Sequence, residues 1–268
     1  MSKCECFKKF LDWVISSQVP KRKRFNDYYV DIIILSKCSL CYKLLEKGVN
    51  TIMGITKYPI NFEFFKNDSE EYWYFLGLIS SDGYISDNNI EICLNKKDKF
   101  ILERLKNLIC PTKPLYEKKS THSIKFTICS TILCKELKEI LSMTTNKKYI
   151  EIKFPKVPEK YLKDYIRGLI DGDGCIDTTK AYQKDNIYIG PRLRILGNRT
   201  FLLEMLEEIR KQVDNKTKSV NKKGKENVWY VTFNFKTAND ILNWCYKDCN
   251  ICLDKKYKKF EEVCNIKI

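Results

Sequence analysis

The feature that most constrains this chain is a short segment that occurs twice. Residues 75–85, with the sequence FLGLISSDGYI, recur at 166–176 as IRGLIDGDGCI. The copies share Gly, Leu-Ile, Asp-Gly and a closing Ile, and Asp82 and Asp173 occupy equivalent positions 91 residues apart. Two copies are too few for a solenoid, so the repeat predicts two similar half-domains related by internal pseudo-symmetry.

Each copy is expected to form the end of a helix. Acidic residues from Glu70 open the first helix, and Pro158 opens the second, before each pattern turns apolar. Both helices are predicted to end at Asp-Gly. Gly83 and Gly174 are expected there in the left-handed backbone conformation that often terminates a helix.

Small residues recur at four-residue spacing in each predicted helix. They are Gly77 with Ser81 in the first copy, and Gly168 with Gly172 in the second. Facing small residues let helices approach backbone to backbone, so Gly77 and Gly168 are predicted at a helix interface. This packing would bring Asp82 and Asp173 within a few ångströms, where a bound cation would relieve their repulsion. An Asp-Gly is usually a surface turn, but its duplication in one helical context argues against that alternative.

The net charge of the chain indicates which kind of molecule it binds. The chain has 49 Lys and Arg against 34 Asp and Glu, a formal net charge of +15. This excess favours a polyanion, because each phosphate contact releases counterions. AT-rich coding could also contribute, since Lys, Asn, Ile and Tyr are abundant. Nucleic-acid binding is the favoured interpretation.

The cysteines and apolar runs bear on location. Residues 1–10 contain lysines and cysteines where a secretory leader would be apolar, and residues 30–35 are too few to span a bilayer. We therefore expect an intracellular protein with no membrane association and with reduced thiols. Cys38 and Cys41 have a zinc-like spacing, with Cys4 and Cys6 as further candidates, but ordinary cysteines are favoured.

The duplicated segments resemble the paired motifs of the LAGLIDADG homing endonucleases in their single-chain, two-motif form. The resemblance covers roughly residues 62–262. It implies that Asp82 and Asp173 bind metal and are catalytic, helped by the backbone carbonyls of Ser81 and Gly172. It also implies cleavage of both DNA strands with Mg²⁺, for which Mn²⁺ could substitute, because carboxylates, phosphates and water suit this ion. In the first copy, Ser80 stands where the second keeps Asp171, so the first centre could be less well ordered or less active.

The resemblance predicts an α+β fold of two αββαββα half-domains, at 62–155 and 156–268, packed through a central helix pair. Alternation predicts strands at 90–94, 123–128, 187–195 and 228–235, and apolar spacing predicts helices at 98–109, from 131, at 200–213 and at 237–246. In these strands Ile124, Phe126, Trp229, Phe233 and Phe235 are expected to pack on helices.

The opposite faces of these strands are expected to read DNA. Groove contact is favoured over simple solvation for the whole set, given the resemblance. Its members are Lys125, Thr127, Arg192, Arg194, Tyr230, Thr232 and Asn234.

The resemblance also implies a basic residue near each catalytic centre, after the last helix of each half. We select Lys148, with Lys147 a close rival, and Lys256. Such lysines would stabilise phosphoryl charge or tune water. Both lie in lysine-rich runs that could simply be solvated.

Residues 1–61 form a basic segment outside the resemblance. Lys21 to Arg24 precede two short predicted helices, and residues 39–47 could be a recognition helix of an appended helix-turn-helix. An extra packing helix behind a basic arm is equally compatible with this pattern.

Together these features predict a monomeric double-strand DNA endonuclease that cuts one long asymmetric site. Two alternatives remain open on the same fold. One is a maturase that binds intron RNA, and the other is a DNA-binding regulator without catalysis.

Overall fold

A computed structural model describes residues 58–143, 153–184, 186–214, 219–224 and 228–265. The N-terminal segment with its predicted helix-turn-helix and zinc candidates lies outside these ranges, as do Lys147 and Lys148. Within them, no helix combines the length and apolar character that a membrane span requires.

The first half of the described chain contains the first motif helix, a four-stranded sheet and further helices. A helical turn precedes the first motif helix, whose N-cap Ser69 accepts a hydrogen bond from the Tyr72 amide. The elements are α1 (Glu63–Lys66), α2 (Glu70–Asp82), β1 (Gly83–Ile85), β2 (Asn89–Asn95), α3 (Lys99–Ile109), β3 (Tyr116–Lys118), β4 (Ser123–Cys129) and α4 (Thr131–Ile140).

The second half repeats this order and adds a C-terminal helix. Its elements are α5 (Leu162–Asp173), β5 (Cys175–Gln183), β6 (Asn186–Gly197), α6 (Arg199–Gln212), β7 (Asn221–Lys222), β8 (Trp229–Asn234), α7 (Phe235–Tyr246) and α8 (Asp254–Cys264). Short 3₁₀ turns precede α3, β4 and α5.

Each half has one antiparallel four-stranded sheet, ordered β1-β2-β4-β3 in the first and β5-β6-β8-β7 in the second. Alternation places one face of each sheet in the core. In the first sheet Ile92 pairs with Phe126, and in the second Leu193 pairs with Phe233; all four are buried. The predicted mixed fold of two pseudo-symmetric halves is therefore confirmed.

The predicted strand at 228–235 extends too far at its end, because β8 stops at Asn234. Phe235 does not extend β8, because it has a positive φ of 49° and begins α7, with its ring against Gly190. Trp229 lies at the start of β8, within the predicted strand, and is half-buried. The guanidinium of Arg199, the first residue of α6, lies 5.8 Å from its ring centre. Apolar alternation continues through Phe235, so sequence alone does not reveal where packing ends the strand.

The predicted left-handed glycines at the motif ends are also wrong. Gly83 has φ −89° and Gly174 has φ −76°, so both are extended and open to any residue on torsional grounds. Glycine is needed because the chain turns back against its own helix. A Cβ on Gly83 would lie 2.5 Å from the Ile79 carbonyl oxygen, and one on Gly174 would lie 2.5 Å from that of Ile170.

Candidate active site at the foot of the helix pair

The two motif helices α2 and α5 cross at glycines from both copies. A Cβ on Gly77 would lie 2.1 Å from the carbonyl oxygen of Tyr165 and 3.0 Å from the Cα of Gly168. In the reverse direction, a Cβ on Gly168 would lie 2.3 Å from the carbonyl oxygen of Tyr74. Any larger side chain would force the helices apart, so the backbones touch here because both positions are glycine.

This packing brings the ends of the two motifs together. A Cβ on Gly172 would meet Ser81 Oγ at 2.0 Å and the Oδ2 atom of Asp82 at 3.1 Å. The carboxylate of Asp82 therefore lies against the residue that precedes Asp173. Both aspartates are exposed as the last residues of their helices. An exposed pair of carboxylates at one interface can bind a cation and remain open to a large substrate.

Residues two positions before the aspartates bind tyrosines of the opposite helix. Asp171 on α5 accepts a 2.8 Å hydrogen bond from the Tyr74 hydroxyl on α2. The equivalent contact runs the other way between Ser80 on α2 and the Tyr165 hydroxyl on α5, with an O–O distance of 2.9 Å. Ser80 also donates to the Leu76 carbonyl oxygen at 2.9 Å. The serine that replaces an acid in the first motif therefore retains a place in the crossed contact.

Asp171, the counterpart of Ser80 in the second motif, also accepts two further hydrogen bonds. The Tyr246 hydroxyl donates to it at 2.6 Å, and the Leu253 amide donates at 2.7 Å. Burial nevertheless raises the pKa of Asp171 to about 6, because these hydrogen bonds offset the loss of water only in part. Burial and the adjacent Asp171 charge raise the pKa of Tyr74 and Tyr246 well above the usual value. Asp171 thus joins both motif helices to the start of α8.

Lys256, which was predicted from the second lysine run, lies beside the end of the second motif. Its Nζ atom donates to the carbonyl oxygen of Ile170 at 3.0 Å and also to that of Gly174. Burial lowers its pKa, while the charges of Asp171 and Asp82 act in the opposite direction. This half-buried ammonium is held by the carbonyls that flank Gly172 and Asp173.

The exposed face of the second sheet gathers the predicted arginines around one carboxylate. Arg192 donates to Asp177 through Nε at 2.7 Å and Nη2 at 2.8 Å, and Arg194 adds Nη2 at 2.9 Å. The hydrogen bond from Arg192 is the main reason that the Asp177 pKa is lowered. The Nε atom of Arg194 is buried without a hydrogen-bond partner in the protein. A planar guanidinium held in this way keeps a fixed orientation.

The remaining predicted DNA contacts lie on the same faces. In β8, Asn234 pairs with Arg192, Thr232 with Arg194, and Tyr230 with Leu196. In the first sheet, Lys125 and Thr127 lie opposite the buried face, and Lys125 forms a 3.1 Å ion pair with Glu91. The structure thus places each predicted set together on one side of its sheet.

The residues at the foot of the helix pair suit a hard divalent cation, since carboxylate and carbonyl oxygens are its preferred ligands. Across the described ranges, no three His, Cys, Asp or Glu side chains gather into a metal-binding group. A cation between the motif ends would therefore rely on Asp82 and Asp173 with carbonyl oxygens, as at Ser81 and Gly172, and on oxygens of the substrate.

A buried arginine that the sequence analysis did not single out binds backbone carbonyls of the segment that leads to Lys256. Arg167 is fully buried and donates to the carbonyl oxygens of Ile251 at 2.7 Å and Cys245 at 2.9 Å. It also pairs with Glu70 at 2.8 Å and Asp164 at 2.9 Å. Its position is equivalent to that of Leu76 in the first motif. A charged residue at a position that is apolar in the other copy was the sequence feature that could have identified Arg167.

Comparisons with known proteins agree with this architecture. Residues 157–245 match a family model described as the PI-PfuI endonuclease subdomain. The crystal structure of the LAGLIDADG homing endonuclease I-LtrWI bound to target DNA is similar with a TM-score of 0.50 and 16% identity, covering 76% of this chain and 89% of that one. I-SmaMI, bound to an uncleaved DNA target in the presence of calcium ions, has a TM-score of 0.53 and 13% identity, covering 74% and 90%. At these identities the likeness shows the fold.

The chain is also similar in sequence to a curated protein. Reverse gyrase of Methanocaldococcus jannaschii is 31% identical over 159 residues, which is 58% of this chain. The chain spans only 9% of the length of that relative.

Proposed function

We propose that this chain is a metal-dependent endonuclease that cuts both strands of double-stranded DNA. The resemblance to the LAGLIDADG homing endonuclease family supports this proposal, because it is confirmed in the fold and, over residues 157–245, by the match to an endonuclease subdomain. The observation that carries the proposal is the meeting of the two motif ends. The Asp82 carboxylate lies against Gly172, next to Asp173, at the exposed foot of a glycine-packed helix pair.

The two aspartates would each serve one DNA strand. Their carboxylates would hold Mg²⁺, or Mn²⁺ in its place, together with the carbonyl oxygens of Ser81 and Gly172. When bound, such ions neutralise phosphoryl charge and lower the pKa of bound water. One aspartate in each half accounts for a break in both strands.

Lys256 would act at the centre to which the second motif contributes. Its ammonium is held by carbonyls on either side of Asp173, and burial lowers its pKa. A cation in this position can stabilise charge that develops on the phosphoryl oxygens. Its proposed counterpart in the first half, Lys148, lies outside the described residues and remains a prediction.

The exposed sheet faces would bind the DNA. Lys125 and Thr127 in the first sheet, and Arg192 and Arg194 in the second, lie opposite the buried faces. A net charge of +15 supports binding to a polyanion.

The DNA site would be long and asymmetric because the two sheets differ. The β5–β6 hairpin has strands of nine and twelve residues, whereas β1 and β2 have three and seven. Tyr182 and Ile187 near the hairpin tip are 73% and 59% exposed, so this arm can reach beyond the sheet. A single chain with two unlike halves would read such a site as a monomer.

The proposal is tested by cleavage of a randomised duplex library with Mg²⁺, comparing wild type with Asp82→Asn and Asp173→Asn. Wild type should cut both strands, and each variant should lose cutting of one strand and give nicked product. Asp240→Asn is the matched control, because this aspartate pairs with Lys236 on the surface of α7. Unchanged cutting in both motif variants would rule out the two-carboxylate mechanism.

Binding measurements with intron RNA and with duplex DNA, made alongside the cleavage assay, separate the two alternatives. A maturase would give no duplex cleavage but would bind intron RNA tightly. An inactive regulator would bind one duplex sequence and cut none. Either result would overturn the proposed endonuclease activity.

A further inference from the structure

The loop between α7 and α8 contains two cysteines in direct contact. Cys249 and Cys252 are separated by two residues, and their Sγ atoms lie 3.4 Å apart. Both residues are half-buried, so a small reagent can reach them. Neither thiol has a role in the proposed cleavage of DNA.

The two thiols differ in acidity. The contact with Cys252 lowers the pKa of the Cys249 thiol, and the positive charge of Arg167 acts in the same direction against burial. The pKa of Cys252 is raised, first by its contact with Cys249 and then by burial. Two cysteines at this spacing with one acidified thiol form the arrangement that favours exchange with disulfides, because the thiolate is the attacking species.

The same loop is fastened to the central helices at Asn250 and Ile251, between the two cysteines, and at Leu253, which follows them. The amide and side chain of Asn250 donate to Glu70 at 2.9 and 2.7 Å. The Ile251 carbonyl accepts from Arg167 at 2.7 Å, and the Leu253 amide donates to Asp171 at 2.7 Å. Lys256 follows within the first turn of α8. The loop therefore sets where Lys256 meets the second motif.

We propose that Cys249 and Cys252 form a reversible thiol–disulfide exchange site whose oxidation displaces the loop that positions Lys256. The Cys249 thiolate attacks one sulfur of a low-molecular-weight disulfide such as glutathione disulfide and releases one thiolate. Cys252 then loses its proton and attacks the mixed disulfide, which releases the second thiolate. The protein loses two electrons and two protons, and the reagent is reduced to two thiols.

Closing this bond requires movement. A disulfide has a sulfur–sulfur distance of about 2.05 Å, so the sulfurs must approach by about 1.3 Å from their present 3.4 Å. The hydrogen bonds of Asn250, Ile251 and Leu253 resist this movement, because each is fixed to a buried or half-buried partner. Oxidation and correct placement of the loop therefore oppose one another.

The chemical step is tested by alkylation and peptide mapping of the full chain. After treatment with glutathione disulfide, tryptic peptide 248–255 should carry no alkyl groups, and after reduction it should carry two. The digest reads this pair separately from Cys38 and Cys41, which have the same spacing. In Cys249→Ser and Cys252→Ser the internal disulfide cannot form, whereas Cys264→Ser, a cysteine on α8, should behave as wild type. Full alkylation of peptide 248–255 after disulfide treatment would overturn the proposal.

The coupling to Lys256 needs a readout that does not depend on cleavage. Hydrogen exchange of the Leu253 amide should become at least tenfold faster in the oxidised chain and recover on reduction. Unchanged exchange alongside a formed disulfide would overturn the coupling while leaving the exchange chemistry in place.

The effect on DNA cleavage rests on the proposed function. Oxidation should slow cleavage at least tenfold, reversibly, in wild type and Cys264→Ser but not in Cys249→Ser. A reduced chain that never cuts DNA would count against the proposed function alone, because peptide mapping and hydrogen exchange still report on the thiol pair. Equal cleavage by the reduced and oxidised chains would contradict the effect on Lys256.

Discussion

The hydroxyl of Tyr74 donates a 2.8 Å hydrogen bond to the buried carboxylate of Asp171 across the central helix pair. The equivalent contact joins Tyr165 to Ser80 at 2.9 Å, so the two halves exchange the same kind of bond in opposite directions. Only one of the two bonds ends on a carboxylate. The two pseudo-symmetric halves therefore differ in charge close to the candidate active site, since one has a carboxylate where the other has a hydroxyl.

This difference predicts that removing the hydroxyl of Tyr74 and removing that of Tyr165 lower the free energy of unfolding by different amounts. Tyr74→Phe removes one donor from a buried carboxylate and should lower the free energy of unfolding by about 1–3 kcal/mol. Tyr165→Phe should cost less, because its partner Ser80 still donates to Leu76. Urea denaturation measures both. A larger loss in Tyr165→Phe would contradict the assignment of Asp171 as the costly partner.

The raised pKa of Asp171 predicts a pH dependence of stability. Its pKa is about 6 in the folded protein against 3.8 ordinarily, so the folded state binds more protons between these values. The stability contribution is complete below pH 3.8 and is lost as the pH rises through about 6. Asp164, whose pKa burial also raises to about 6, contributes with the same sign. Asp171→Asn should therefore reduce the slope of unfolding free energy against pH without abolishing it, and an unchanged slope would refute this origin.

The glycine crossing predicts a steep steric penalty. Gly77→Ala or Gly168→Ala would place a methyl group within 2.3 Å of a backbone oxygen and should lower stability by about 3 kcal/mol or more. Gly197→Ala is a suitable control, since the atoms nearest to its methyl would be side-chain atoms of Leu202 and Phe201, from 3.3 Å. Thermal unfolding compares the three. Equal melting temperatures would mean that the helices do not cross at these residues.

Lys256 is expected to affect cleavage more than stability or DNA binding. Lys256→Met removes a charge beside the second motif and should lower the cleavage rate by about 100-fold. Lys258→Met, two residues along α8 and exposed, should retain the wild-type rate. Single-turnover cleavage at saturating enzyme separates this effect from binding. Similar rates for the two variants would remove Lys256 from the proposed mechanism.

The arginines of the second sheet are expected to contribute to DNA affinity. Arg192→Ala or Arg194→Ala should weaken binding by about 1–3 kcal/mol and relax preference at neighbouring base pairs if they read base edges. Lys211→Ala on α6, where the lysine pairs with Glu208, serves as the control. Binding measured over a range of salt concentrations distinguishes base reading from a phosphate contact, which would mainly reduce the salt dependence.

Much of the fold follows from local pattern. The predicted strand at 123–128 matches β4 at Ser123–Cys129, and the predicted helix at 200–213 matches α6 at Arg199–Gln212. These segments have a regular period and clear ends. Strands β1, β3 and β7 were not located individually, because two or three residues show no period. The nine-residue β5 was also missed, because Ile176 is its one buried residue and its sequence shows no apolar alternation.

Part of the candidate site was also visible in the repeat. Tyr74 and Tyr165 stand eight residues before the two motif aspartates, so their equivalence can be read directly from the sequence. Their crossed pairing with Asp171 and Ser80 could not be read, because it depends on which helix faces lie against each other. The arrangement of Arg192 and Arg194 around Asp177 likewise depends on strand register.

The repeated motif by itself determined that two helices ending in Asp-Gly recur in similar halves, because glycine spacing and apolar periodicity are local properties of the chain. The tertiary structure decided what those ends do together. It brought Asp82 against Gly172 and placed Lys256 at the second motif. It also showed that Gly83 is required because a Cβ would clash with the preceding helix, and not because of its backbone torsion angles. These relationships join residues up to 90 positions apart, and only the packing of the helix pair sets their distances.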